Sequence, residues 1–193
     1  MSTIEIQKTS ITDCKTDVVV NAANEKLLHG SGVCGYIFAA AGPEKLQAAC
    51  NKIGHCDTGN AVITPGFNLS KFIVHAVGPI WNGGKSGEPK HLYNCYKSSL
   101  DLAKKNGCHS ISFPLISSGI FGYPVDNAWK EAIKSVKDWL DENPDYDMKV
   151  VFAILSDQIL EKGCREAQTN AGKYYRAQLT RSDSIKKGRS GKF

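Results

Sequence analysis

Residues 18–24 read Val18-Val19-Val20-Asn21-Ala22-Ala23-Asn24, and they carry the clearest fold signal in the chain. The β-branched run has no polar alternation, which is typical of a strand buried on both faces of a parallel sheet. A glycine-rich loop, Gly30-Ser31-Gly32-Val33-Cys34-Gly35, follows it and leads into a small apolar helix predicted over 33–41. A strand, loop and helix in this order predict an α/β fold.

The pattern continues along the chain, since apolar runs alternate with helical periodicity. Ile4 and Ile6 alternate with polar residues and predict an edge strand. Further strands are predicted at 61–64, 72–77, 110–115 and 150–154, with a turn at Pro65-Gly66-Phe67-Asn68 joining the first two. Helices are predicted at 44–53, 92–105 and 124–140, and a mobile loop at 82–89.

Length and charge indicate one domain followed by a tail. The chain has 193 residues, of which 41% are hydrophobic and 22% charged, so we expect a single globular domain over 1–172. Residues 165–193 hold eight Lys/Arg against two Asp/Glu, although the net charge of the whole chain is only +5. We therefore predict a basic, flexible tail at 173–193. Because the body is nearly neutral, we expect no nucleic-acid partner.

Composition also bears on the compartment. No apolar run approaches the roughly 20 residues of a membrane span, and the N-terminus lacks a signal-peptide pattern. Seven cysteines without a CxxC pair fit reduced thiols, so a cytoplasmic protein without a membrane partner is expected. Cys50, His55, Cys56 and Cys108 match no common zinc spacing, so no metal site is predicted. His75, inside a strand, is interpreted as a core residue.

A second glycine-rich loop, Ser117-Ser118-Gly119-Ile120-Phe121-Gly122-Tyr123-Pro124, also follows a predicted strand and precedes a helix. Loops at the carboxyl edge of such a sheet form ligand sites, and free N–H groups at a helix start favour an anion. We therefore predict that the two loops face each other and hold a pyrophosphate. Gly30, Gly32 and Gly35 also satisfy GxGxxG, but eight residues separate them from Asn21, which is the wrong context for a dinucleotide fold.

Several segments taken together resemble the macrodomain family. They are 18–24, 30–35 with Ala39-Ala40-Ala41-Gly42, Thr58-Gly59-Asn60-Ala61-Val62-Ile63-Thr64-Pro65-Gly66, His75-Ala76-Val77-Gly78-Pro79 and 117–122, in family order. The resemblance implies a three-layer α/β/α domain with a mixed, mainly parallel sheet. It also implies an ADP-ribose cleft, a partner that is ADP-ribose or an ADP-ribosylated protein or metabolite, and no cofactor.

The resemblance also assigns residues to the cleft. Asn24 matches the family asparagine at the distal ribose, although an Asx turn is its structural alternative. Phe121 is expected against the same ribose. The implied ligand-binding set comprises Ser10, Ile11, Ala22, Asn24, Gly30, Ser31, Gly32, Val33, Cys34, Ser117, Ser118, Gly119, Ile120, Phe121 and Leu155.

Four positions depart from the family pattern. Cys34 and Phe38 stand where a well-known hydrolase branch has an aspartate and a histidine, so the carboxylate proposed to act on water is missing. Ser10 replaces an aspartate that accepts from the adenine amino group, and Leu155 replaces an aromatic residue on adenine. These changes leave the affinity for the adenosine end open.

Two functions remain in view. The first is a hydrolase that acts on mono-ADP-ribosylated protein or O-acetyl-ADP-ribose, with Asn24 and His29 as catalytic candidates, since other members without the aspartate carry a histidine before the glycines. The second is a module that binds ADP-ribose without chemistry. The missing aspartate and histidine favour the second, whereas the retained Asn24, His29 and both loops favour the first.

Overall fold

The computed structural model describes residues 1–178 and contains six strands and five α-helices in that part of the chain. Two short 3-10 helices lie at Ile11–Asp13 and Gly172–Tyr174. The main elements are β1 (Thr3–Lys8), β2 (Val18–Ala22), α1 (Gly32–Ala41), α2 (Pro43–Ile53), β3 (Ala61–Pro65), β4 (Phe72–Ala76), α3 (Glu88–Lys105), β5 (Ser110–Phe113), α4 (Val125–Glu142), β6 (Lys149–Ile154) and α5 (Asp157–Asn170).

The strands form one sheet in the order β1-β6-β5-β2-β4-β3. All neighbouring strands are parallel except β3 and β4, which form the antiparallel hairpin that the turn at 65–68 predicts. Among the six strands, β1 pairs with β6 alone and lies at an edge of the strand order, as the alternation of Ile4 and Ile6 predicts. The expectation of a mixed, mainly parallel sheet is confirmed.

Two apolar cores cover the two faces of the sheet, which gives the three layers. Val18 and Val20 point into the core that α3, α4 and α5 cover, while Val19 points into the core under α1 and α2. All three valines are fully buried. The run without polar alternation therefore reflects burial on both faces, as expected for a central parallel strand.

Three element predictions need correction. α5 was not predicted at all, although it covers β1. α3 begins at Glu88, so the last part of the predicted loop at 82–89 is the first turn of a helix with Pro89 near its start, a position that proline favours. α4 covers Val125–Glu142 rather than 124–140. Among the helices of residues 1–178, none has the length and hydropathy of a bilayer-spanning segment.

The packed part of the chain extends beyond the predicted domain boundary at residue 172. Tyr174 is buried, Tyr175 forms a bridge with Ile4, and the Arg176 N–H donates to the Ile4 carbonyl oxygen at 2.9 Å. The remainder of the predicted basic tail, from residue 179 onward, lies outside the described residues.

His75 lies in a buried polar chain beneath α2, which confirms it as a core residue. Its Nδ1 lies 3.1 Å from Asn21 Nδ2, and its Nε2 lies 3.0 Å from Thr64 Oγ1. Because an amide nitrogen can only donate, Nδ1 accepts and Nε2 carries the proton. Burial lowers the pKa of His75 from 6.5 to about 4, since an imidazolium here would lose its hydration and would set one N–H against another.

The stability of the fold is therefore expected to fall as the pH drops from 6.5 to 4. In this window the unfolded chain binds a proton at His75 and the folded chain does not, so the free energy of unfolding loses up to about 3 kcal/mol from this group. Urea denaturation across this pH range measures the loss. His75→Gln keeps a polar side chain without a titrating group. In this variant the free energy of unfolding should depend less steeply on pH, by the equivalent of up to one bound proton. An unchanged slope would contradict the assignment.

Candidate functional site

One cavity of about 520 Å³ opens at the carboxyl edge of the sheet. Thr9, Ala22, Pro114 and Ile154, which end or follow β1, β2, β5 and β6, all line it. Parallel strands that end at the same edge commonly create ligand sites there, because the connecting loops diverge above them. The cavity therefore lies where the sequence places it.

The cavity lining includes all fifteen residues of the expected ligand-binding set. Residues 30–34 and 117–121 contribute to the same cavity, so the two glycine-rich loops are brought together. Nine further lining residues were not predicted: Thr9, Ala23, Tyr36, Pro114, Leu115, Ala153, Ile154, Ser156 and Ile159. Four of them, Thr9, Ala23, Ile154 and Ser156, directly precede or follow predicted ones at the strand ends, where the carboxyl-edge rule itself would have found them.

The first loop presents the N-terminus of α1 to the cavity. Ser31 occupies the N-cap position with an extended backbone, but its side chain makes no capping bond, and the first turn carries no acidic residue. Within residues 1–178, the N–H groups of Gly32, Val33 and Cys34 donate to no protein acceptor. Unpaired N–H groups and the positive end of the helix dipole together suit an anion.

Close packing fixes this loop against its own helix. Gly32 has a φ of +61°, which favours glycine. A Cβ atom at Gly35 would lie 2.9 Å from the Gly30 carbonyl oxygen, so glycine allows the loop to approach α1 this closely. The glycines that satisfy GxGxxG are therefore explained by the close packing of this loop against α1.

The second loop supplies N–H groups from a turn. Within the described residues, the N–H groups of Gly119, Ile120 and Phe121 donate to no protein acceptor. Its donors do not come from a helix start as predicted, because α4 begins only at Val125. Ser117 has a φ of +66°, which is uncommon for a residue with a side chain and marks stored strain.

The strained Ser117 lies against Gly78. A Cβ atom at Gly78 would overlap Ser117 Oγ, so the strand-end glycine makes room for the loop. Ser117 is 6% exposed, and its hydroxyl has no partner in the part of the chain that the structure describes. The Phe121 carbonyl oxygen accepts from the Trp81 N–H at 2.8 Å, which anchors the far end of the loop.

Asn24 lines the cavity and also closes a local turn. Its Nδ2 donates to the Leu28 carbonyl oxygen at 2.9 Å, and its Oδ1 accepts from the Leu28 N–H at 3.0 Å. An amide has a second N–H and a second lone pair, so these two bonds leave one donor and one acceptor for a ligand. The turn and the ligand interpretations of Asn24 are therefore compatible.

His29 does not reach the cavity, unlike Asn24. Its exposed ring stacks on Phe38 with 4.8 Å between ring centroids and 5° between planes, and it is absent from the lining. Stacking on the face of Phe38 holds the His29 imidazole outside the cavity. Cys34 does line the cavity, buried in the first turn of α1 with its Sγ 3.9 Å from the Leu28 carbonyl oxygen.

The cavity is uncharged. Of the side chains from residues 1–178 that line it, none is Asp, Glu, Lys, Arg or His. A bound anion would be held by backbone N–H groups, and no lining carboxylate or imidazole is available to take a proton. Residues 1–178 also contain no cluster of three or more His, Cys, Asp or Glu side chains suited to a metal.

The end of the cavity near β1 and β6 is lined by hydroxyl and apolar groups. Ser10 Oγ lies 2.9 Å from Thr12 Oγ1, and Ser156 Oγ accepts from the Ile159 N–H at the start of α5. Leu155 is 66% exposed at the rim. This end can accept a flat apolar group and form neutral hydrogen bonds with it.

These features define a class: an α/β/α domain that presents two N–H-rich loops to one uncharged cleft at the carboxyl edge of its sheet. The sequence model of the Macro domain matches residues 20–132, and the chain belongs to the macrodomain family. The fold and the sequence segments therefore lead to the same assignment.

Proteins similar to this chain include some named only for the Macro domain and some named as enzymes. Macro domain-containing protein CT2219 of Chlorobaculum tepidum is 47% identical over 80% of this chain and 89% of its own length. A protein named O-acetyl-ADP-ribose deacetylase from Cronobacter turicensis is 44% identical over 80% of this chain and 89% of its own. Human ADP-ribose glycohydrolase MACROD2 is 44% identical over 78% of this chain but only 36% of its own length.

A solved structure shares the fold closely. The Oceanobacillus iheyensis macrodomain with ADP superposes with a TM-score of 0.82 at 39% identity, covering 87% of this chain and 91% of the other. That agreement confirms the three-layer macrodomain architecture.

Proposed function

We propose that the cleft binds ADP-ribose, with its pyrophosphate between residues 30–34 and 117–121. The observation that carries this proposal is that two loops with unpaired N–H groups line one cavity. A diphosphate has enough oxygens to accept from both loops, and no acidic side chain from the described part of the chain lines the cavity to repel it. Relatives named for ADP-ribose chemistry give further support.

The polar groups of the cleft define the direction of the ligand. Asn24 offers a donor and an acceptor beside the first loop, which suits the hydroxyls of the distal ribose. Ser10, Ile11 and Leu155 form the opposite, adenine end, where uncharged contacts replace a carboxylate. Affinity for the base is accordingly expected to be modest, and the diphosphate carries most of the binding.

The chain is further proposed to release ADP-ribose from mono-ADP-ribosylated protein or from O-acetyl-ADP-ribose. Asn24 and Phe121 hold the distal ribose, and water attacks the bond to be cut. Because residues 1–178 place no carboxylate or imidazole in the cavity lining, the substrate's own phosphate or a backbone carbonyl orients that water. His29, which is absent from the cavity lining, has no role in this scheme. The 44% identity to the deacetylase and to the glycohydrolase supports hydrolysis.

A second candidate is a module that recognises ADP-ribose without cleaving it. The specific observation in its favour is the uncharged lining, since general acid–base catalysis by a side chain contributes about 10²–10⁴-fold to the rate and is unavailable here. Both candidates place ADP-ribose in the same cleft and differ only in turnover.

The compartment proposed for this function is the cytoplasm. All seven cysteines are free, and six of them are buried. Thiols persist in this form in a reducing environment, where disulfides are rare.

Product release separates hydrolase from binding module. Protein at high concentration is incubated with mono-ADP-ribosylated protein and, separately, with O-acetyl-ADP-ribose, and free ADP-ribose is quantified by mass spectrometry. Calorimetry with ADP-ribose is run in parallel. Release of ADP-ribose supports the hydrolase, binding without release supports the module, and the absence of binding contradicts the proposed cleft altogether.

A further inference from the structure

We propose that Gln47 is a positioning residue for the distal end of the cleft, and that it makes the site prefer ADP-ribose to ADP. The inference rests on the proposed function, because it concerns the ribose that ADP lacks. Gln47 lies on α2, does not line the cavity and is partly buried. Its action is indirect, through the backbone of residues 27–29.

The segment that carries Asn24 into the cleft needs external support. Leu27 has a φ of +56°, a strained left-handed conformation that few residues with a side chain adopt. Its side chain is buried, and its backbone belongs to no helix or strand. A strained turn of this kind persists only where the surroundings hold it.

Gln47 supplies that support with both ends of its amide. Its Oε1 accepts from the His29 N–H at 2.8 Å, and its Nε2 donates to the Leu27 carbonyl oxygen at 3.1 Å. The second Nε2 hydrogen is directed to Asn51 Oδ1 at 2.9 Å, one turn further along α2. The amide plane is therefore fixed by three bonds rather than free to rotate.

Asn24 and Gln47 divide the loop backbone between them. Gln47 binds the Leu27 carbonyl and the His29 N–H, whereas Asn24 binds the Leu28 N–H and the Leu28 carbonyl. Every backbone polar group from the Leu27 carbonyl to the His29 N–H is thus bound by one of two side-chain amides. If residues 27–29 shift when the Gln47 bonds are lost, the two bonds between Asn24 and Leu28 must therefore change as well.

Stacking on α1 completes the arrangement. The ring of His29 lies flat on Phe38 of α1, while the backbone N–H of His29 donates to Gln47 Oε1 on α2. The segment is held between α1 through this stack and α2 through Gln47. Asn24 consequently keeps its two Leu28 bonds and its place in the cavity lining, with one N–H and one lone pair left for a ligand.

The test compares the affinities of ADP-ribose and ADP in three variants. Gln47→Ala removes both loop bonds, so affinity for ADP-ribose should fall about tenfold while affinity for ADP changes by less than about threefold, which lowers the preference between them. Gln47→Glu keeps the acceptor for the His29 N–H and loses the donor to Leu27, so it should restore part of the preference. Lys45→Ala, an exposed change on the same helix, is the matched control.

A second measurement needs no ligand. The Leu28 N–H is protected by Asn24 Oδ1, so its hydrogen exchange should accelerate about tenfold or more in Gln47→Ala, with the exchange of the β2 amides unchanged. Equal loss of ADP and ADP-ribose affinity, or an unchanged preference, would overturn the positioning role. If the wild-type chain binds neither ADP-ribose nor ADP, the proposed function fails. Binding of both without a preference for ADP-ribose, or unchanged Leu28 exchange in Gln47→Ala, would overturn the role of Gln47 alone.

Discussion

Val33→Glu is expected to weaken ADP-ribose binding by at least about 100-fold without weakening the fold. Val33 lies in the first turn of α1, is 38% exposed and lines the cavity. A carboxylate there faces the diphosphate, and two charges about 4 Å apart at the effective dielectric of a protein surface repel by about 4 kcal/mol. The same carboxylate complements the unoccupied N-terminal end of the helix dipole, which contributes about 0.3–1 kcal/mol to stability.

Val33→Gln is the control that separates the effect of the glutamate charge on affinity from the effect of its size. Its side chain has the same length and shape as glutamate but no charge, so the affinity should stay within about threefold of the wild-type value. Calorimetry measures binding, and thermal unfolding measures stability. If Val33→Glu binds ADP-ribose as tightly as Val33→Gln, the anion does not lie at the start of α1.

Asn24→Ala is expected to reduce release of ADP-ribose by about 100-fold. The variant loses the amide that orients the distal ribose and also frees the N–H and carbonyl of Leu28, so the reacting bond is no longer held in position. ADP has no distal ribose, and its affinity should change by less than about threefold. Single-turnover release and ADP calorimetry are the two measurements.

Asn60→Ala is the matched control for this change. Asn60 is an exposed asparagine in the turn before β3 and does not line the cavity. Its activity should equal that of the wild-type chain. An Asn24→Ala variant that retains full release would show that the cleft operates without this amide, and a parallel loss of ADP affinity would show that the variant disrupts the loops instead.

The central strand and the two loops were predictable because their signals are local. Val18, Val19 and Val20 lack polar alternation, and glycine spacing marks both loops. The carboxyl-edge rule then brings the loops together without knowledge of the strand order. The strand order β1-β6-β5-β2-β4-β3 was not predicted, because it depends on pairings between distant parts of the chain.

α5 was missed because it packs through small residues. Its fully buried positions are Gly163 and Ala167, and a Cβ atom at Gly163 would overlap the Trp129 ring of α4. Hydrophobic periodicity detects large apolar side chains, whereas here the large side chain belongs to the neighbouring helix. A glycine inside the segment also lowers its helix propensity, so the local signal points away from the observed structure.

The roles of His29 and Gln47 could not be read from the sequence for a different reason. His29 stands directly before the glycines, but nothing in the sequence indicates that its ring stacks on Phe38 outside the cavity. Gln47 lies 18 residues further along, on another helix, and its contact with the loop depends on how α2 packs. Such contacts between distant positions leave no local periodicity.

The most direct test of the account is a side-by-side titration of the wild-type chain with ADP-ribose, ADP and adenosine. If backbone N–H groups from both loops grip the diphosphate, ADP-ribose and ADP should bind, and adenosine should bind at least about 100-fold more weakly than either, a difference of about 2.7 kcal/mol. Adenosine that binds within a few fold of ADP-ribose would place the affinity in the base and contradict the paired-loop site.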